Sequence, residues 1–280
     1  MKISLPMVEF YITNVCNLTC RGCNRFNNLN FKGHHYWKDH AELYEAWSNR
    51  ITIDKISIIG GEPTLNPDLE SWVSNLRRLW PNADMMIQTN GTYIKPYFVD
   101  FWKKYKVNFV ISLHDINTAE QIMQDWKKLL GNWFTTFLKG FVFHQSSLIQ
   151  ENNHFTLNRN VPEMAFGCCD MKYDHTMVNG KLYKCPMTAI LPSFDNQFHL
   201  QLDSKQKELL YSYTPLLPIC SEQDLIDFFQ QRDTAIKQCE FCFINPTWDQ
   251  AVGPSRPNST IPEFDYITLD QIPHYKKLLT

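Results

Sequence analysis

No stretch of the 280-residue chain is long and apolar enough to span a bilayer, and neither sign of charge dominates. The 27 Lys and Arg against 29 Asp and Glu leave a net charge of -2, which gives no electrostatic basis for gripping a nucleic-acid backbone or an anionic membrane. Internal repeats and low-complexity blocks are missing, so a solenoid or a biased disordered tract does not organise the chain. The N-terminal apolar run is interrupted by Glu9, which argues against a secretory leader.

What the chain does have is core-forming material and thiols. Hydrophobic residues make up 44% and aromatics 14%, enough to bury a substantial interior. There are nine cysteines, and their spacing decides what they are for. Cys16-Asn17-Leu18-Thr19-Cys20-Arg21-Gly22-Cys23 spaces three of them as C-x3-C-x2-C. Residues 7–13 before them are β-branched and aromatic, a strand pattern, so the thiols fall at a C-terminal strand end, where α/β folds bind ligands. Three thiolates can hold three irons of a [4Fe-4S] cluster and leave the fourth open to a small chelating molecule. Three thiols on a loop also suit a zinc site, or plain reduced cysteines.

A second strand-like run at 55–59 leads into Gly60-Gly61-Glu62-Pro63, where two glycines let backbone approach a ligand and a carboxylate follows. A helix is expected next, with Asn66 as N-cap, Pro67 as its first residue, and Leu69, Trp72, Val73, Leu76, Leu79 and Trp80 on one face. The alternation continues with a strand at 84–88 ending in Thr89-Asn90-Gly91, then helical spacing of Tyr97, Phe98, Phe101, Trp102 and Tyr105. A strand at 107–113 precedes a helix over about 117–130 with Ile122, Met123, Trp126, Leu129 and Leu130 inward. Repeated βα units of this length predict a parallel sheet. Thr89, Asn90 and Ser112 fall at strand ends, where short polar side chains bind ligands or complete turns. His114 and Asp115 follow Ser112 in a position to face a substrate. The pair His34-His35 sits in an Asn-rich loop without metal-ligand companions and reads as surface loop.

Together, C-x3-C-x2-C after one strand and Gly-Gly-Glu-Pro after the next resemble the radical S-adenosylmethionine (radical SAM) superfamily. The resemblance implies an α/β fold with a partial (β/α)6 barrel over residues 1–160 and SAM across the C-terminal strand ends. It implies that Cys16, Cys20 and Cys23 hold a [4Fe-4S] cluster whose fourth iron is chelated by the amine and carboxylate of SAM. Gly60, Gly61, Glu62 and Pro63 would line the methionine end and accept hydrogen bonds from its amino group, with Thr89, Asn90 and Ser112 toward ribose or carboxylate. One departure stands out: many members carry an aromatic residue before the third cysteine, and this chain has Gly22. Phe26 is a nearby aromatic that either contacts adenine or packs in the interior.

Beyond residue 140 the βα rhythm weakens, through 141–143 and 154–157, and a second cysteine population begins: Cys168, Cys169, Cys185, Cys220, Cys239 and Cys242. Asn179-Gly180 reads as a hairpin turn that brings Cys169 and Cys185 to one end. Cys239 and Cys242 form a C-x2-C pair after a helix that Ser221 and Asp224 cap. Residues 161–250 resemble the Twitch domain, the shortened SPASM domain, and no cysteine after Cys242 is present for a second cluster. The resemblance implies a small Cys-rich α+β domain with one auxiliary [4Fe-4S] cluster on Cys169, Cys185, Cys239 and Cys242, as in the Twitch-type dehydrogenase that oxidises an aminoglycoside intermediate. Cys168 is interchangeable with Cys169 at this level, and a four-cysteine zinc ribbon is the alternative. Cys220 reads as a buried free thiol. Residues 251–280 form a tail that opens on a Pro/Ser/Asn-rich stretch.

The expected function follows from the resemblance. The enzyme would reductively cleave SAM to a 5′-deoxyadenosyl radical and take hydrogen from a peptide or sugar-like substrate. The net result would be oxidation or crosslinking assisted by the auxiliary cluster. An external electron donor such as flavodoxin or ferredoxin would supply the reductant, and the cysteine usage fits the reducing cytoplasm. A non-catalytic zinc or Fe-S protein is the reading from a different class.

Overall fold

Five largely apolar runs pair in parallel: β1 (Ile3–Tyr11), β2 (Ile51–Ile59), β3 (Asp84–Thr89), β4 (Val107–Ser112) and β5 (Thr135–Leu138). The computed structural model describes residues 2–20, 23–27, 31–114, 116–131, 135–138, 148–151, 154–169, 171–242 and 244. Arg21, Gly22, Asp115, the 141–143 run and the 251–280 tail lie outside them.

Helices cross between the strands: α1 (Ala41–Ser48), α2 (Leu69–Leu79), α3 (Phe98–Tyr105) and α4 (Ile116–Leu130). Their apolar faces cover one side of the sheet. Val8 and Phe10 of β1 are fully buried there, with Phe10 5.7 Å from Trp80 and 6.1 Å from Tyr44, ring centre to ring centre. Trp37, in a 3-10 turn before α1, stacks on Tyr44 at 4.7 Å and meets Trp72 edge-on. Glu9, between Val8 and Phe10, points away from this layer and into a cavity, as strand alternation requires. The helical faces predicted from spacing are largely as expected: Leu69, Trp72, Val73 and Leu76 of α2 and Trp126 and Leu130 of α4 are buried. Tyr97 departs from the pattern, because it precedes α3 and is 45% exposed.

Asn66 does not cap α2. Asp68 takes that position, while Asn66 Oδ1 accepts from the Asp68 backbone and its amide donates to the carbonyls of Ile12 and His35. A 3-10 turn at Pro63–Leu65 comes first, and Pro67, expected as the first helical residue, lies before α2.

Among the described residues, the alternation of parallel strand and helix runs through β5 and then changes. After β5, β6 (Leu148–Glu151) and β7 (His154–Leu157) form a separate antiparallel pair. The strand parallel to β1 on its other side is β8 (His175–Val178), which turns through Asn179-Gly180 into the antiparallel β9 (Lys181–Tyr183). The sheet order is therefore β5-β4-β3-β2-β1-β8-β9, and it runs across the expected boundary at residue 160. After α5 (Pro162–Gly167), a second core gathers around α6 (Pro186–Phe198) and α7 (Ser204–Tyr211), with Phe26, Phe31 and Phe194 buried in it. α8 (Glu222–Gln230) begins with the predicted capping box of Ser221 and Asp224.

Asn179 and Gly180 have φ of 51° and 71°, the geometry of a tight hairpin turn. A Cβ at Gly180 would stand 2.5 Å from Leu43 of α1. Gly180→Ala is expected to destabilise the protein by more than about 1 kcal/mol, because strain and crowding add. The check is the urea midpoint, which falls while the slope of the transition stays unchanged.

Candidate active site

The C-terminal ends of β1 to β4 surround one cavity of about 270 Å³. Cys16, Cys20 and Cys23 line it together with Gly60, Gly61, Thr89, Asn90, Ser112 and His114, so most of the residues expected from the motifs share one space. Glu62 and Pro63 do not line it. Glu9, Arg25, Gln88, Met171 and Asp174 do, and the motif reading had not assigned them a place in the site.

The two glycines also allow a close approach within the chain itself. A Cβ on Gly60 would lie 2.5 Å from the Thr13 carbonyl oxygen, and one on Gly61 would lie 2.4 Å from that of Val15 and 3.0 Å from Cys16 Cβ. The Gly61 and Glu62 amides donate to the Thr13 and Val15 carbonyls, each at 2.8 Å. The motif thus clasps the loop that carries Cys16, and only backbone without a side chain fits there. Glu62 is fully buried beneath it. Its Oε1 accepts from the Thr64 amide, the Thr64 hydroxyl and the Thr89 hydroxyl, and its Oε2 accepts from the Asn90 amide at 2.7 Å. Burial pushes this carboxyl up and the four hydrogen bonds pull it back. Glu62 therefore ties the end of β2 to the end of β3, and its oxygens are engaged inside the protein.

Asn90 belongs to the same scaffold: its amide donates to Asn17 Oδ1 at 2.8 Å, and its oxygen accepts from Thr92. Asn27 braces the far side of the cysteine loop by donating to the Asn14 carbonyl at 2.6 Å and to the Tyr11 hydroxyl at 3.2 Å. Burial raises the Cys16 thiol well above its usual range, with the Glu62 carboxylate adding to it, and burial raises Cys20 likewise. These thiols are neutral until a metal displaces their protons.

The pair His34-His35 is no free surface loop. His34 Nδ1 is 2.8 Å from the Thr13 hydroxyl, and His35 Nδ1 is 2.9 Å from Asn179 Oδ1. The His35 carbonyl accepts from Asn66 and Trp72, so the loop joins the end of β1, the entry to α2 and the hairpin turn. Phe26 is 1% exposed and packs 4.7 Å from Phe194, away from the cavity, which removes it as an adenine contact.

A second, smaller space of about 20 Å³ is lined by Cys169, Cys185, Cys239 and Cys242. Cys168 caps α5 and does not reach it. Cys220 is elsewhere and only partly buried, its sulfur accepting from Arg50 at 3.3 Å. Asn158 and Asn160 hold the C-x2-C segment by donating to the Phe241 and Cys242 carbonyls at 3.3 and 2.7 Å. Lys184, 5% exposed, lies beside the same thiols, its ammonium donating to the Gln231 carbonyl and standing 5.3 Å over the Phe166 ring. Among the described residues no three His, Cys, Asp or Glu side chains form a ready single-ion coordination set, whereas a zinc tetrahedron needs four donors at bonds of about 2.0–2.3 Å. Among the described residues, too, no helix is long and apolar enough to cross a membrane.

Residues 10–131 match the model of the Radical SAM superfamily. The chain is 33% identical over 95 residues to a GTP 3′,8-cyclase of Nautilia profundicola, covering 33% of this chain and 30% of that protein. It is 30% identical over 122 residues to an S-adenosylmethionine-dependent nucleotide dehydratase of Flammeovirga pacifica, covering 41% and 40%. The chain thus spans less than half the length of these relatives. Among solved structures, a complex of BtrN with AdoMet and 2-DOIA is similar over 89% of this chain and 99% of that one, at 15% identity and a TM-score of 0.49.

Two measurements follow. Glu62→Gln places an amide donor against donors and is expected to cost about 1–3 kcal/mol, read as a lower unfolding midpoint of the metal-free protein. His114, held neutral by burial at a pKa of about 4, binds its proton more weakly folded than unfolded. Its contribution to stability is present above the unfolded pKa of about 6.5 and is lost as pH falls toward 4. His114→Gln should flatten the fall in unfolding midpoint between pH 6.5 and 4; an unchanged slope would show that this histidine is not the source.

Proposed function

We propose that the chain is a radical SAM enzyme. The carrying observation is that Cys16, Cys20 and Cys23 line one cavity whose wall is the Gly60-Gly61 strand end. The donor set fits a [4Fe-4S] cluster with one open iron: three thiols from one loop, no fourth cysteine in the cavity lining, and room beside them for a chelating molecule. A cluster held by Cys16, Cys20 and Cys23 would relay one electron from an external donor to bound SAM, which would split into methionine and a 5′-deoxyadenosyl radical.

The chain's own residues do the rest. The Gly61 and Glu62 amides fix the Thr13 and Val15 carbonyls, and Asn27, beyond the third cysteine, fixes that of Asn14, so the thiols are presented by a loop pinned at its base. Backbone of Gly60 and Gly61 and the side chain of Ser112 line the cavity as polar groups for SAM, with Asn90 shaping the wall beside them. Below them, Gln88, Glu9, Arg25 and Asp174 give a polar interior in which a substrate with hydroxyl, amine or amide groups finds partners. That suits a peptide or a sugar-like molecule, oxidised or crosslinked with an external donor such as flavodoxin or ferredoxin, in the cytoplasm. The relatives named as GTP cyclase and nucleotide dehydratase add a nucleotide as a third substrate class.

The second cysteine set is read as the ligands of one auxiliary [4Fe-4S] cluster in a Twitch-like unit over 161–250. Convergence of Cys169, Cys185, Cys239 and Cys242 on one space supports this, as does buried Lys184 beside them, a cation that offsets the charge of four thiolates. The space of about 20 Å³ has to widen on loading.

The test is anaerobic reconstitution with iron and sulfide, then assay of 5′-deoxyadenosine from SAM and dithionite. The triple variant Cys16→Ala, Cys20→Ala, Cys23→Ala should lose about four irons per chain and drop to background product. Equal product from both proteins, or none from a fully loaded wild type, would remove the catalytic reading.

A further inference from the structure

Among the described side chains, Arg25 Nη1 is the one buried nitrogen or oxygen without a hydrogen-bond partner. Arg25 is 6% exposed, and Glu9, its ion-pair partner, is 4% exposed. The guanidinium reaches both Glu9 oxygens through a single nitrogen, Nη2, at 3.0 and 2.9 Å. Thr176 of β8 donates to the same carboxylate at 3.4 Å. The pair is therefore clamped on one side and open on the other. Asp174 attracts the guanidinium and lines the same cavity, yet Nη1 is left unpaired. An orphaned buried donor is destabilising, and an apolar side chain of similar volume would avoid that cost. Its persistence needs an acceptor that the folded chain does not itself provide.

The place of Arg25 names the acceptor. It stands two residues after Cys23 and lines the cavity with all three thiols. The Tyr11 hydroxyl is near enough to be influenced by Arg25, Cys23 and Cys16 together. We propose that Arg25 is a positioning residue for the cluster: held by Glu9, it offers Nη1 to the sulfur-rich, negatively charged face of a [4Fe-4S] group bound by Cys16, Cys20 and Cys23. This rests on the radical SAM reading of the site. The potential of an Fe-S centre depends on its net charge and on hydrogen bonds to its sulfurs. Reduction adds one negative charge, so a fixed cationic donor favours the reduced form and raises the potential. Glu9 has the opposite effect through its own charge while aiming the guanidinium.

The experiment is an EPR-monitored redox titration of reconstituted full-length protein, following the signal that changes when SAM is added. Glu9→Gln/Arg25→Met removes donor and counter-charge together and leaves the local net charge unchanged. It is expected to hold about tenfold less reduced cluster at a fixed potential, ~59 mV for a one-electron couple. Glu9→Gln alone keeps the cation without its neutralising partner and should shift the potential upward. A residue that only packs would not produce shifts of opposite sign. Should the double variant fail to fold, Glu9→Gln alone decides, since an unchanged or lowered potential overturns the proposal. Unchanged potentials in loaded variants overturn it as well. A wild type that takes up no cluster dependent on the three cysteines is a separate result, visible before any variant is compared, and it brings down the reading of the site itself.

Discussion

A carboxylate with no exposure to water and four hydrogen-bond donors around it holds the working end of the sheet together. Glu62 draws the Thr64 turn, the Thr89 hydroxyl and the Asn90 amide onto one point, and the amides of Gly61 and Glu62 bind the backbone that leads to Cys16. Strand ends are where a sheet normally frays, since the ladder stops there. Here three of them are locked to one another and to the thiol loop. The cavity keeps its shape because its walls are tied to a buried ion rather than to loop packing alone, and a buried charge is tolerated because every lone pair facing a donor is used.

What could be read in advance was what is local in the chain. Cysteine spacing, the Asn179-Gly180 turn and the Ser221 capping box each depend on residues within a few positions of one another, and each is realised in the structure. The reading weakened where a residue's role depends on a partner far away in sequence. Gly60 and Gly61 announced a close approach, but not that the approaching group is the backbone of residues 13–15. His34 and His35 looked like surface because nothing nearby in sequence needs them, whereas their partners are Thr13, Trp72 and Asn179. Glu9 carried one usable signal, a carboxylate at an inward position of an otherwise apolar strand. Arg25 carried none without Glu9 beside it.

The two cysteine cavities differ in how they are built. The first sits on strand ends and is lined by one short loop, so a single motif specifies it. The second gathers a residue after α5, one after β9, Cys239 in the Lys237–Phe241 turn and Cys242 just after it, with Asn158 and Asn160 holding the end of that turn from another segment. Its four thiols depend on folding of the whole second core, which is why Cys168 and Cys169 could not be separated by spacing alone.

Strand β1 has neighbours far apart in sequence, pairing with β2 at Tyr11↔Ile59 and with β8 at Phe10↔Met177. During synthesis the first five strands can assemble while β8 is still in the ribosome, and until residue 178 emerges β1 presents a bare row of amides and carbonyls. Such an edge is an invitation to pair with another nascent chain. The late arrival of β8 also means that Thr176 reaches Glu9 only after the whole cysteine loop has been synthesised.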